Sequence, residues 1–250
     1  MAQALARLDA QMTEQERGIF IVFEGVDGAG KSTQIDMLQQ ALAEVGYQVV
    51  TSREPTDKEW GRKIRQSATT GRMPLADELD AFIRDRKQHI AELIGPELQR
   101  GKIVLVDRYF YSTIAYQGER GGDVAEIEKT MREFAPIPDF VLLLDADPDV
   151  TLPRITDNRG GTDEFEHVAS LRRIRELFLM LSENCEEVYR VDAHQDINAL
   201  HLELLGLLCE QAQHRERAAD ETDTTCPFRQ GNSPWALFHA RLSKYLAPSS

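Results

Sequence analysis

Five short runs of apolar and β-branched residues, at 18–23, 47–51, 103–106, 140–144 and 188–191, punctuate the chain. The first, Gly-Ile-Phe-Ile-Val-Phe, has almost no polar position, as expected of a strand covered on both faces within a parallel sheet. Longer stretches with apolar residues at helical spacing lie between the runs. Ile35, Leu38, Leu42 and Val45 predict a helix opening at about Lys31, and Leu79, Ile83, Ile90 and Ile94 predict another over 76–99. Gly95-Pro96 should kink or interrupt that second helix, because proline lacks the N–H and clashes with the preceding turn. Val168, Leu171, Ile174, Leu177, Phe178 and Leu181 mark a third helix, and residues 197–209 a fourth. Strands alternating with helices imply an α/β protein of three layers, a five-stranded parallel sheet flanked by helices.

Past Ala212 the pattern lapses. Residues 213–233 are polar, of mixed charge and without sustained period, and read as a linker. Ser233-Pro234 then matches a helix cap followed by proline at the first helical position, with Trp235, Phe238, Leu242 and Tyr245 or Leu246 at helical spacing. A helix docked on its own domain, a partner-binding helix and a flexible tail all fit that pattern. The chain thus divides into an N-terminal extension (1–17), a domain over 18–211, and a linker with tail helix over 212–250. A net charge of −13 argues against a nucleic-acid binder, which needs a basic face. No run approaches the 18 apolar residues of a membrane span, and Cys185, Cys209 and Cys226 show no metal-type pairing. The expectation is a cytoplasmic protein with reduced thiols.

Candidate chemistry is concentrated in residues 23–33, Phe-Glu-Gly-Val-Asp-Gly-Ala-Gly-Lys-Ser-Thr. Gly25, four residues, then Gly30-Lys31-Ser32 form a Walker A phosphate loop, set between a predicted strand and a predicted helix as the motif requires. Backbone N–H groups of Gly25, Val26, Asp27, Gly28, Ala29, Gly30, Lys31, Ser32 and Thr33 are the candidates to wrap a triphosphate. Lys31 would reach the β- and γ-phosphates, and the Ser32 hydroxyl would ligate magnesium. No Asn-Lys-x-Asp guanine-reading sequence occurs, which weighs against a GTPase. Instead, arginine-bearing segments close the predicted strands, where ligands sit in open α/β sheets: Ser52-Arg53-Glu54-Pro55 and Asp107-Arg108-Tyr109. Asp107 is a natural second magnesium partner. Phe82 and Arg86, one helical turn apart with His89 near the same face, can stack on a flat base and hydrogen-bond its edge. Taken singly, Phe82 also fits core packing, and Arg86 a surface ion pair with Asp85.

Glu24-Gly25-Val26-Asp27-Gly28, Arg53-Glu54-Pro55, Phe82 with Asp85-Arg86 and His89, Asp107-Arg108-Tyr109 and Ala115-Tyr116-Gln117-Gly118 together resemble thymidylate kinase, in order and in spacing, from about residue 18 to 210. The resemblance implies the P-loop NTPase fold with a mobile lid, transfer of the ATP γ-phosphate to dTMP with magnesium, and a homodimer. It implies that Asp27 approaches the sugar 3′-hydroxyl and that Arg53 and Arg108 hold the acceptor phosphate. Phe82 would stack on thymine, Arg86 and Gln117 would bond its polar edge, and Tyr116 would pack near the deoxyribose or base. With no arginine among the variable positions of the phosphate loop, the catalytic arginine is expected from a lid at about 154–163, Arg159 first and Arg154 second. Arg159 also fits a solvated loop charge. The chain departs from the family pattern at Asp163-Glu164-Phe165-Glu166 and at Thr56-Asp57, which replaces a common glycine pair. Two other functions stay open: a same-fold kinase for another nucleoside monophosphate such as dUMP, and a nucleotide-binding scaffold whose C-terminal helix binds a partner.

Overall fold

The computed structural model describes residues 18–155, 162–222 and 234–247. Five strands, β1 (Phe20–Glu24), β2 (Val49–Arg53), β3 (Ile103–Asp107), β4 (Phe140–Asp145) and β5 (Val188–Asp192), pair in parallel in the order β2-β3-β1-β4-β5. The three central strands are buried almost throughout, which accounts for their unbroken apolar sequence, whereas the edge strands β2 and β5 are only partly buried. Helix α1 (Lys31–Glu44) follows β1, and α2 (Glu59–Thr70) and α3 (Leu75–His89) follow β2.

Gly95-Pro96 does not break the long helix. One π-helical turn, Ile90–Ile94, carries α3 directly into α4 (Gly95–Gln99). A widened turn before Pro96 accommodates the missing donor without ending the helix. Beyond β3 come α5 (Phe110–Glu119) and α6 (Val124–Arg132), then α7 (Pro148–Ile155) after β4 and α8 (Thr162–Asn184) before β5. Asp123 caps α6 by accepting from the Glu126 N–H.

Helix α9 (Ile197–Thr222) continues well beyond Cys209, so residues 213–222, where the sequence predicts linker, are helical. Tertiary packing explains the extension. The Arg215 guanidinium lies between the rings of Phe140 and Trp235 and donates to the Asp139 carbonyl, so a charged residue covers apolar surface. The remainder of the predicted linker, 223–233, lies outside the described residues. Helix α10 (Pro234–Leu246) docks on its own domain: Phe238 and Leu242 are fully buried, Trp235 meets Phe140 edge-on, and Phe238 meets Tyr47. Arg241 stacks on Tyr47 and donates to the Gly46 carbonyl. Tyr47 precedes β2 and Phe140 opens β4, so α10 covers the amino-terminal edge of the sheet. No described helix is long and apolar enough to cross a membrane.

Candidate active site

The carboxyl edge of the sheet carries the chemistry. After β1 the chain turns through Gly25, whose φ of 136° brings its Cα so near β4 that a Cβ would lie 2.5 Å from the Leu144 carbonyl oxygen. Gly30 caps α1 in the left-handed region, with no side chain bonded to the helix start and no acidic residue in its first turn. The N-terminal amides of α1 are thereby left for an anionic ligand. Val26 and Ala29 are buried beneath the loop. Lys31 Nζ donates to the carbonyls of Gly25 (3.0 Å) and Val26 (2.9 Å). Burial, helped by the Arg108 charge, brings its ammonium down to about 8, against the pull of Asp107, Asp27 and Glu24.

Strand register delivers the next groups. Phe23 and Arg53 both pair with Asp107, so the ends of β1, β2 and β3 lie side by side. Ser32 Oγ donates to Asp107 Oδ2 at 3.0 Å, while Asp107 Oδ1 is buried without a partner among the described residues. A hydroxyl beside a carboxylate with an orphaned oxygen is a donor set that fits magnesium. An open cleft of about 460 Å³ has Asp27, Gly28, Gly30, Lys31, Ser32 and Thr33 on its loop side. Arg53, Arg65 and Arg108 also line it. Arg108 Nη2 donates to Asp27 Oδ1 at 2.5 Å, and the guanidinium stacks on Tyr116. Burial pushes the Tyr116 phenol up to about 12 despite the Arg108 charge. Arg53 and Arg65 meet on Asp57, at 2.9 and 2.7 Å.

Phe82, Arg86 and Gln117 belong to α3 and α5. Leu79 and Ile83 pack against the hydrophobic core, while Phe82 is half-buried and outside that cluster. Arg86 is not a surface partner of Asp85. It is 1% exposed and donates through Nε to Glu54 Oε2 (2.8 Å) and through Nη2 to Thr113 Oγ1 (3.0 Å). Asp85 instead accepts from the Thr56 amide and hydroxyl. Burial would raise the Glu54 carboxyl, but Arg86 and His89 outweigh it and hold it below the usual range. His89 links Glu54 to Ser52 through its two ring nitrogens. Gln117 donates from Nε2 to Glu78 Oε2 (3.3 Å), and its buried Oε1 lacks a partner among the described residues. Arg120 also pairs with Glu78.

Arg159 lies outside the described residues; Arg154 falls in the last turn of α7, but its side chain is likewise not described. Sequence reasoning assigned no role to Glu24, Arg65 or Glu78. Glu24 ends β1 immediately before the phosphate-loop motif, where an acid closing an apolar strand is the available clue. Arg65 and Glu78 reach the site only through tertiary packing.

A phosphate loop and three arginines lining one cleft at the carboxyl edge of a parallel sheet place the chain among the P-loop nucleotide kinases. Residues 23–204 match the family model of thymidylate kinase. The chain belongs to the thymidylate kinase family. It is 46% identical over 181 residues to thymidylate kinase from Akkermansia muciniphila, covering 72% of this chain and 86% of that protein. It is 41% identical over 193 residues to thymidylate kinase from Xylella fastidiosa, covering 77% and 88%. The crystal structure of thymidylate kinase from Ehrlichia chaffeensis superposes with a TM-score of 0.63 at 28% identity, covering 77% of this chain and 99% of that one. The family match ends before α10 begins.

Proposed function

We propose that the protein transfers the γ-phosphoryl group of ATP to dTMP, giving ADP and dTDP. The observation that carries this reading is a cleft lined at once by Lys31 and Ser32 of the phosphate loop and by Arg53 and Arg108. In-line transfer moves the phosphoryl group from the β-phosphate oxygen to an oxygen of the acceptor phosphate, and the protein mainly positions two anions and neutralises them. Lys31 would exchange its two loop carbonyls for phosphate oxygens, and the amides opening α1 would hold the β-phosphate. Arg53 and Arg108 would take the acceptor phosphate as paired forks, leaving Asp57 and Asp27 to do so. Asp27, released from Arg108, would then meet the sugar 3′-hydroxyl, with Tyr116 against the sugar or base.

Ser32 and Asp107 would hold magnesium, which would supply neutralisation of the triphosphate charge. Thymine specificity rests on family membership together with Gln117. Its Nε2 is engaged by Glu78, which leaves an oxygen acceptor for the N3–H of thymine, while Phe82 offers a ring to stack on and Arg86 donors for a base oxygen. The catalytic charge would come from the lid, Arg159 ahead of Arg154. A homodimer, a cytoplasmic setting and a domain over 18–211 with an appended tail complete the reading.

The test is the rate of ADP formation with ATP, magnesium and dTMP, dUMP, dCMP, dGMP or AMP, with Lys31→Ala as control. Preference for dTMP, lost in the control, is expected. One methyl separates dTMP from dUMP and is worth about 10–200-fold, so dUMP should react, only more slowly. Absence of turnover with every acceptor, by protein that still binds ATP, would overturn the kinase reading.

A further inference from the structure

Arg108 has a φ of 66°, and is the non-glycine residue with positive φ among those described. Such a backbone costs free energy and persists only where the surroundings hold it. The grip comes from β1. The Phe23 carbonyl accepts the Arg108 N–H at 2.9 Å, and the next residue, Glu24, accepts the Tyr109 N–H through Oε1 at 2.8 Å. Consecutive residues of one strand therefore hold the amides on both sides of the Arg108 Cα.

The same carboxylate also reaches the Arg108 side chain. Glu24 Oε1 accepts the Ser112 N–H at 3.1 Å, and Oε2 accepts the Ser112 hydroxyl at 2.5 Å. Ser112 Oγ in turn accepts from Arg108 Nη1 at 3.0 Å. Donation runs from guanidinium to hydroxyl to carboxylate. A hydroxyl is suited to the middle of that chain because it accepts and donates at once. Glu24 is 1% exposed and both its oxygens are engaged by Tyr109 and Ser112, so it holds the chain around Arg108 rather than a ligand in the cleft. Its carboxyl is pushed up to about 7 by burial, against the donors of Ser112 and Tyr109 and the Arg108 charge.

We propose that Glu24 and Ser112 are positioning residues for the acceptor phosphate, fixing the backbone of Arg108 and, through the Ser112 hydroxyl, the angle of its guanidinium. This leaves Nη2, the nitrogen now on Asp27, aimed into the cleft. The inference rests on the reading of Arg108 as an acceptor-phosphate ligand. A plainer role for Glu24 is to cap α5, whose own N-cap residue, Tyr109, supplies no side-chain bond. Replacing Ser112 separates the two roles, because Ser112→Ala keeps both amide bonds to Glu24 and removes the hydroxyl that joins Glu24 Oε2 to the guanidinium.

The experiment measures KM for dTMP and for ATP in Ser112→Ala, Arg108→Ala and the double variant, with thermal unfolding alongside. Ser112→Ala should raise the dTMP KM about tenfold, as expected for losing one charge-assisted hydrogen bond, with the ATP KM nearly unchanged. In the double variant, loss of Ser112 should add little to the loss of Arg108, because the two act as one unit. An unchanged dTMP KM in Arg108→Ala would overturn the phosphate reading on which the inference stands. A raised dTMP KM in Arg108→Ala with none in Ser112→Ala, or effects that simply add, would overturn the positioning role and leave Glu24 as a cap.

Discussion

Lys31 shows how one residue combines burial with function. In a folded chain a buried ammonium is destabilised, and this one is brought down to about 8. ATP would bring several anionic oxygens against it and raise it again. The sign follows directly: between about 8 and the bound value, the complex holds a proton that the free protein lacks. ATP binding at pH 8.5 to 9 should therefore take up close to one proton, and at pH 6.5 Lys31 should contribute none. Calorimetry in two buffers of different ionisation enthalpy measures this, with Lys31→Met as the reference. Zero uptake at pH 9 in the unaltered protein would mean that Lys31 stays protonated in the cleft despite its burial. The phosphate loop was legible from sequence because all its parts are contiguous. The Arg108–Ser112–Glu24 chain was not, since Glu24 lies 88 positions from Ser112 and the two meet only once β1 and β3 pair.

At the scale of elements, the loop joining β2 to α2 holds one of the two departures from the family pattern, and the structure gives Thr56 and Asp57 each a task. Thr56 fastens the loop to α3 through Asp85, at 2.7 and 2.5 Å. Asp57 sits on Arg53 and Arg65, two guanidiniums that line the cleft. If Arg53 takes the acceptor phosphate as proposed, an exposed carboxylate in that position competes with it. Ion pairs this exposed are weak, so Asp57→Ala should lower the dTMP KM by no more than about fivefold. The gain should fade at high salt, which screens the pair. Steady-state kinetics at two ionic strengths decide it, and a raised KM would show that Asp57 holds Arg53 ready instead. The buried strands could be read from their unbroken apolar runs. The helical stretch 213–222 could not, because its stability comes from an arginine covering aromatic rings of other elements rather than from any period of its own. The same holds for the continuous helix across Gly95-Pro96, where local chemistry argues for a break and the π turn absorbs it.

At the scale of the whole molecule, catalysis and the tail occupy opposite edges of one sheet. The phosphate loop and arginines follow the carboxyl ends of β1, β2 and β3, whereas α10 packs on residues preceding β2 and opening β4. Phe238 contributes a fully buried ring between Tyr47 and Phe140. Removing such a ring typically costs about 3–5 kcal/mol, and for a chain of this size each kcal/mol lowers Tm by about 2–4 °C. Phe238→Ala should therefore lower Tm by on the order of 10 °C while leaving kcat and both KM values at 20 °C close to those of the unaltered protein. Ending the chain after Thr222 should do the same more severely and expose Tyr47 and Phe140, so that aggregation on warming accompanies the loss. A tail that serves mainly to bind a partner predicts the reverse, an unchanged Tm with a lost interaction. Calorimetric unfolding beside the dTMP assay separates the two, and a fall in kcat without a fall in Tm would contradict the placement of α10 far from the chemistry.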